Sequence, residues 1–295
     1  MRKPKYLSPS SFNMYVEDRE EFCRRYICDT IPPREAPNQA MLIGSGFDAF
    51  VKHALHEIFI GPCDLVELFN SQVSDYHTEI WEIGSNLFNL YKEVGAYDAL
   101  LQDMEGSTEH GFEVSKNGDN PVPIFGYIDC IYRHRNGKVV ILDWKCTNYH
   151  AKRVSPLKYY TVEYPSMRSH KGVEPVTEDG ILLQRDYCFS LTQPKWATQL
   201  AMYELMLGEP CILQIDQVLG KDRVVTYRGG VSEDFKNNIK NNLLSAWDNV
   251  STGHLFPDLE KSESDGIIER LERFNLMKQT NNPLMSVIKG VRSAN

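Results

Sequence analysis

Two aspartates and a lysine around a short turn are the residue types needed to bind a divalent metal ion and cut a phosphodiester bond. Asp129 ends the segment Gly-Tyr-Ile-Asp, and Asp143 and Lys145 follow the apolar run Val-Val-Ile-Leu at 139–142. Carboxylate oxygens bind hard cations such as Mg²⁺, and a bound cation activates water and neutralises a scissile phosphate. A neighbouring lysine adds a positive donor where negative charge builds up.

The apolar run predicts a strand, and the direction of its side chains decides whether a shared site can form. Residues two apart on a strand face the same way, so Asp143 and Lys145 share a face and Trp144 points to the other. Asp129 must reach the first face from the neighbouring strand. An exposed hairpin would also carry such residues, but a carboxylate near the middle of a strand is costly to bury without a partner.

The turn between the two strands sets the register. Residues 135–137 read Arg-Asn-Gly, and Asn-Gly is a strong hairpin signal. A two-residue loop would place Asp129 on the wrong face. A three-residue loop, with its glycine in the left-handed conformation, pairs His134 with Lys138 and sets Asp129 opposite Asp143. We predict the three-residue loop, or a bulge with the same effect.

The composition is that of an ordinary globular protein. The chain has 295 residues, of which 42% are hydrophobic and 24% are charged. No apolar run approaches the roughly 20 residues that span a bilayer, and the N-terminus does not resemble a secretory signal. Seven irregularly spaced cysteines favour reduced thiols and a cytoplasmic setting. We therefore expect no membrane partner.

The formal net charge of −8 argues against a protein that is basic all over, but it leaves room for a local nucleic-acid contact. The stretch 152–171 holds five basic residues and one acid, with tyrosines between them. Aromatic rings can stack on bases while cations follow phosphates; a solvated loop is the alternative. The candidate nucleic-acid-binding residues in this stretch are Lys152, Arg153, Lys158, Tyr159 and Tyr160.

Apolar spacing, caps and turn residues predict the order of elements. Helices are expected from an N-cap at Ser8, at 44–59, within 64–102, at 195–207, from a cap at Ser232 to 250, and at 266–277. Strands are expected at 111–115, 123–133, 138–146, 211–218 and 223–227. The polar stretch 148–193 is expected to be mostly loop, with at most a short strand at 187–190.

This order predicts a mixed α/β (α+β) fold in which a central mixed sheet is flanked by helices, with helical additions at both termini. We expect a single domain over 1–295. Its parts are a mainly helical region at 1–105, a catalytic sheet core at 106–230 and C-terminal helices at 231–295.

Four segments, in this order, resemble the PD-(D/E)XK nuclease superfamily, and within it the RecB-like exonuclease branch of phages and bacteria. They are the helix start at 7–12, the helical Ile-Gly-Ser-Gly-Phe-Asp motif at 43–48, the core signature at 126–129 and 143–145, and a Gln-x-x-x-Tyr motif at 199–203. The resemblance spans most of the first 205 residues. It implies a restriction-endonuclease-like core.

The resemblance also implies roles for individual residues. Asp129 and Asp143 would bind Mg²⁺ or Mn²⁺, with the Trp144 carbonyl as a further ligand, and Lys145 would orient water or stabilise the transition state. Gln199 and Tyr203, one helical turn apart, would complete the catalytic residues by contacting the lysine and the nucleic-acid backbone. Without the other motifs, Gln199 and Tyr203 would read as polar positions on an amphipathic helix.

The chain departs from the family pattern at two places. Asp48 stands where the family usually has His or Glu; it is expected to bind the metal, directly or through water, and a surface acid is the alternative. Glu113 is a second candidate ligand. Asp18 stands near the position of a cysteine found in the iron–sulfur members, and no cysteine follows Cys211. We therefore expect no iron–sulfur cluster.

The predicted function is that of a Mg²⁺- or Mn²⁺-dependent deoxyribonuclease. We expect an exonuclease acting on single- or double-stranded DNA at linear ends, in recombination, repair or end processing. The expected setting is the cytoplasm of a bacterium or phage-infected host, with a single-strand annealing or other recombination protein as a partner. The alternatives are an inactive nuclease-fold protein that binds or scaffolds DNA, and a site-specific endonuclease.

Overall fold

The computed structural model describes residues 1–33, 35–73, 78–107, 109–119, 121–134, 136–146, 160–164, 168–169, 176–178, 181–183, 194–219 and 223–280. The chain divides into two compact units. The first comprises Met1–Ala36, Asn117–Phe125 and Asn237–Asn295, and the second comprises Pro37–Lys116 and Gly126–Lys236. The single domain expected over 1–295 stays a prediction.

The predicted mixed α/β class is confirmed by the order of the elements. The helices are α1 (Pro9–Glu17), α2 (Arg19–Phe22), a π-helical turn (Cys23–Ile27), α3 (Gln39–Phe59), α4 (Leu65–Gln72), α5 (Thr78–Glu93), α6 (Ala96–Met104), α7 (Pro194–Leu207), α8 (Glu233–Thr252) and α9 (Lys261–Thr280). The strands are β1 (Glu109–Gly118), β2 (Ile124–Arg133), β3 (Val139–Cys146), β4 (Tyr160–Tyr164), β5 (Arg168–Ser169), β6 (Val176–Glu178), β7 (Ile181–Leu183), β8 (Cys211–Leu219) and β9 (Arg223–Gly229).

Seven of these strands form one mixed sheet, in the order β1-β2-β3-β8-β9-β4-β5. β3 and β8 are parallel, whereas β2–β3, β8–β9, β4–β9 and β4–β5 are antiparallel. Parallel neighbours need a long crossover connection, and α7 lies in the connection between β3 and β8. Within this crossover, α7 lies next to β3, the strand that bears Asp143.

The described residues within 148–193 form short strands that the sequence pattern did not predict, and the expectation that the stretch is mostly loop stays a prediction. β4 pairs with β9 at the far side of the sheet, and β6 pairs with β7. These strands are short, and β4 pairs with a strand far along the chain, which a local pattern does not reveal. The short strand expected at 187–190 lies outside the described residues.

The β2–β3 turn confirms the predicted register. His134 donates its backbone N–H to the Lys138 carbonyl at 2.9 Å, and Gly137 donates to the His134 carbonyl at 2.8 Å. Gly137 has a φ of +84°, in the left-handed region that glycine tolerates. The paired register then runs to Cys130 opposite Leu142. The next pair in this register is Asp129 opposite Asp143.

In the second unit, α3 starts earlier than the sequence pattern indicated. Asn38 caps it by accepting a hydrogen bond from the Met41 backbone N–H at 2.9 Å, which adds more than a turn before the expected start. Its apolar side, with Phe47, Val51 and Leu55, is fully buried in the core formed with α4–α6 and the sheet. This packing positions Asp48 and Lys52, which lie on the same helix.

The first unit contains the terminal helices. Ser8 caps α1 as expected, in a reciprocal capping arrangement with Ser11. Asn249 of α8 donates to the Tyr15 hydroxyl at 2.7 Å, and Glu272 of α9 accepts from the Thr30 backbone N–H at 2.8 Å. The predicted helical additions at both termini are therefore present. Among the described helices, none has the length and apolar character to cross a membrane.

Replacing Gly137 with alanine should destabilise the protein, because a Cβ is unfavourable at a φ of +84°. We expect the free energy of unfolding in urea to fall by about 1 kcal/mol. Gly44 in α3 is the matched control, since a Cβ there would meet no atom within 4 Å. Gly44→Ala should stabilise the helix by about 0.5–1 kcal/mol, so equal effects of the two changes would contradict the left-handed turn.

Candidate active site

Asp143 and Lys145 form an ion pair on one face of β3. Asp143 is 2% exposed, and its Oδ2 atom contacts the Lys145 ammonium. The shared face that alternation predicted is therefore confirmed. Because a carboxylate is costly to bury alone, the pairing with Lys145 makes this position tolerable.

Helix α7 completes this pair with an amide and a hydroxyl. Gln199 Nε2 donates to Asp143 Oδ1 at 2.8 Å, and the Lys145 ammonium donates to Gln199 Oε1 at 3.2 Å. The same Nε2 lies 3.0 Å from the Tyr203 hydroxyl, one helical turn away. One side chain, Gln199, thus bridges the acid, the lysine and the tyrosine, so these four predicted site residues form one connected group.

The ring of Tyr203 packs against β2 at Gly126, which has no side chain. A Cβ on Gly126 would lie only 2.5 Å from Tyr203 Cε1, so the ring occupies the space that a side chain would need. The Tyr203 hydroxyl donates to the Tyr127 carbonyl at the same place. The first residue of the Gly-x-x-Asp signature is thereby explained by close packing of a ring on backbone.

Asp129 lies where the paired register of β2 and β3 ends. Its Oδ2 atom accepts a hydrogen bond from the Trp144 backbone N–H at 3.2 Å. The carboxylate thus bonds to the backbone of the strand that carries Asp143. Its side chain remains 26% exposed, in contrast to the buried Asp143.

Lys52 of α3 is a site residue that the sequence reasoning missed. It is 2% exposed, forms an ion pair with Asp48, and places its ammonium 3.9 Å from Asp129 Oδ1. The signal was present as an Asp and a Lys at i and i+4, but on a helix such a pair is usually a solvated one. The structure therefore links Asp48 to Asp129 through a lysine.

Burial and charge set the protonation of the site. Burial, together with the charge of Asp129, raises the pKa of Asp143 to about 6, although Lys145 acts in the opposite direction. Burial alone would lower the pKa of Lys145, but the charges of Asp143 and Asp129 outweigh it and raise that pKa. The pKa of Tyr203 is raised by burial and by the charge of Asp143. Lys145 and Tyr203 are therefore protonated at neutral pH.

Trp144 points to the opposite face, as alternation predicts. Its indole N–H lies 3.4 Å from the Tyr91 hydroxyl, which donates in turn to Asp216. Asp216 is 1% exposed and also accepts from Thr226 Oγ1 at 2.7 Å and Gln214 Nε2 at 2.9 Å. This network holds the face of β3 opposite to the Asp143–Lys145 pair. No sequence motif predicted it.

The donors on the front face are chemically suited to Mg²⁺ or Mn²⁺. Asp129 and Asp143 offer carboxylate oxygens from neighbouring strands, and Mg²⁺ is commonly bound by one or two carboxylates together with water and substrate phosphates. Within the described residues, no group of three or more His, Cys, Asp or Glu side chains is arranged to hold a metal ion.

Several predicted positions cannot be placed in the site. Lys152, Arg153, Lys158 and Tyr159 lie outside the described residues, and Tyr160 is described only as the first residue of β4. Glu113 lies on β1, and its role as a ligand stays a prediction, as do the metal-binding roles of Asp48 and of the Trp144 carbonyl.

No family model matches the chain, and no curated protein matches it. Among solved structures, that of a "putative exonuclease" from Eubacterium rectale matches with a TM-score of 0.45 and 12% identity, over 84% of this chain and 82% of that chain. The crystal structure of SSO0001 matches with a TM-score of 0.28 and 15% identity, over 81% of this chain and 83% of that chain. Neither likeness is close enough to assign a family or an activity.

Replacing Gly126 with alanine should disrupt the site through Tyr203. The added methyl group would overlap the ring, so we expect the free energy of unfolding to fall by about 1–3 kcal/mol. Gly230→Ala is the control, because a Cβ there meets no atom within 4 Å; it should change stability by less than about 0.5 kcal/mol.

A second substitution checks the cause of that loss. Combining Gly126→Ala with Tyr203→Ala removes the ring, so the double variant should lose less stability than the sum of the two single changes. Additive losses in urea denaturation would show that the alanine acts somewhere other than on Tyr203.

Proposed function

We propose that this protein is a metal-dependent DNA nuclease, and that it acts as an exonuclease. The observation that carries the proposal is the connected group of Asp143, Lys145, Gln199 and Tyr203, with Asp129 beside it in register. Carboxylates with a protonated lysine are suited to hold a cation and a phosphodiester at one place. A buried group of this kind is expensive to maintain without a function.

The acids of the two strands would hold the cation. Asp129 and Asp143 are the proposed ligands, with the Trp144 carbonyl as a further one. The cation would supply Lewis-acid activation of water and charge neutralisation at the phosphate. The protein's own part is to hold both carboxylates on one face and to keep Asp143 out of bulk water.

Lys145 is proposed to act as a charged donor. Its pKa is raised because the surrounding acids outweigh burial, so the ammonium keeps its proton at neutral pH. It can then donate a hydrogen bond to a phosphate oxygen as negative charge develops there. A role as general base would need the opposite shift.

Gln199 and Tyr203 are proposed to orient this donor. The amide of Gln199 accepts from Lys145 and donates to Asp143, so it sets the spacing of the ion pair. Tyr203 is fixed in turn by Gly126 and the Tyr127 carbonyl. The face of α7 that carries these two side chains would also contact the nucleic-acid backbone.

The same proposal includes the substrate and setting. DNA ends, single- or double-stranded, are the proposed substrate, in the cytoplasm of a bacterium or phage-infected host, with a recombination protein as a partner. An inactive scaffold is disfavoured because all members of the acid–lysine group are present. A site-specific endonuclease shares the acids and the lysine, and circular DNA distinguishes it from an exonuclease.

Changing the site should abolish cleavage while DNA binding persists. We expect Asp143→Asn to eliminate detectable cleavage and Lys145→Met to lower kcat by about 100- to 1,000-fold, because a transition-state donor is lost. The measurement uses end-labelled linear and circular DNA, each single- and double-stranded, with Mg²⁺ or with a chelator. Binding is followed in parallel by fluorescence anisotropy.

Lys92→Met is the matched control for the lysine change. Lys92 is exposed on α5, where its ammonium lies 4.6 Å from the centre of the Phe88 ring, and its loss should leave cleavage unchanged. Degradation of linear DNA by Asp143→Asn at the wild-type rate would refute the proposed mechanism. Cleavage of covalently closed circles at defined positions would favour the endonuclease.

A further inference from the structure

Lys52 is a buried cation between two acids of the site. Its side chain is 3% exposed, whereas the Asp48 and Asp129 side chains are 19% and 26% exposed. It forms an ion pair with Asp48 and lies 3.9 Å from Asp129 Oδ1. The helix that carries it, α3, has its apolar side packed in the core.

The ammonium groups described at the site disfavour the binding of a second divalent cation. Among the side chains that the structure describes here, the carboxylates of Asp48, Asp129 and Asp143 lie with the ammonium groups of Lys52 and Lys145, so their formal sum is −1. One divalent cation changes this sum to +1, which suits an incoming phosphodiester. A second cation beside Asp48 would lie against the Lys52 ammonium, which repels it.

We propose that Lys52 takes the place of a second metal ion, and that the site binds a single divalent cation through Asp129 and Asp143. Asp48 is then the partner of Lys52, and Lys52 is a positioning residue that holds Asp129. This inference rests on the proposed nuclease function and deepens it.

The inference also accounts for the unusual residue in the helical motif. Asp48 stands where the resembling nucleases usually have His or Glu, and it is one carbon shorter than Glu. An acid at this position can pair with a lysine one turn along the same helix, and this pairing is what the structure shows.

Calorimetric titration with Mn²⁺ tests the inference without relying on activity. The wild-type chain should bind one more Mn²⁺ than Asp129→Asn, which serves as the baseline for adventitious surface binding. Asp48→Asn should keep the wild-type stoichiometry, because its acid is not a ligand. Lys52→Met should bind two more Mn²⁺ than the baseline, because Asp48 and Asp129 then face each other without a cation.

Thermal unfolding in a chelator provides a second readout. Lys52→Met should melt at a lower temperature than wild type, because it leaves two partly buried carboxylates uncompensated, and Lys92→Met should melt like wild type. Adding Asp48→Leu to Lys52→Met should recover part of the loss. Saturating Mn²⁺ should raise the melting temperature of Lys52→Met more than that of wild type.

The outcomes separate the two proposals. A wild-type chain that binds two Mn²⁺ above baseline, with Asp48→Asn binding one, overturns the role of Lys52 and leaves the nuclease proposal standing. Wild-type protein that binds no Mn²⁺ and cleaves no DNA overturns both. If Lys52→Met does not fold, the comparison of wild type with Asp48→Asn and Asp129→Asn still decides the stoichiometry.

Discussion

The repulsion between two carboxylates held side by side, Asp129 and Asp143, is the constraint to which the rest of the site responds. The three-residue turn at Gly137 sets them opposite each other, and burial raises the energy of ionised Asp143 further. Like charges this close are unfavourable in a low dielectric. The ammonium groups of Lys145 and Lys52 offset that cost from two different elements, and the Gln199 amide keeps the first of them in place.

β3 makes side-chain contacts on both of its faces, and these contacts help it to tolerate the repulsion between the two carboxylates. On the front, Asp143 bonds to Gln199 of α7. On the back, Trp144 contacts the Tyr91 hydroxyl, which bonds to the buried Asp216 of the parallel neighbour β8. A strand held this way has few alternative positions, and a site with fixed donors needs little reorganisation during a reaction.

Local sequence rules predicted the front of the site well, because strand alternation and turn chemistry are short-range constraints. They placed Asp129 opposite Asp143 and sent Trp144 to the far face. They did not predict β4, whose pairing partner β9 lies far along the chain. Lys52 was missed because burial of a lysine on a helix depends on what packs around that helix, and its spacing to Asp48 fits a surface pair equally well.

Gly126 shows how a motif acquires physical meaning only in three dimensions. In the sequence it is one member of a short signature, and its spacing from Asp129 says nothing about why a side chain is excluded. In the structure the Tyr203 ring fills that space, and the hydroxyl of the same ring reaches Gln199 and the Tyr127 carbonyl. The glycine therefore affects residues that it does not touch: it lets α7 approach β2 closely enough for the Gln199 amide to contact both Asp143 and Lys145.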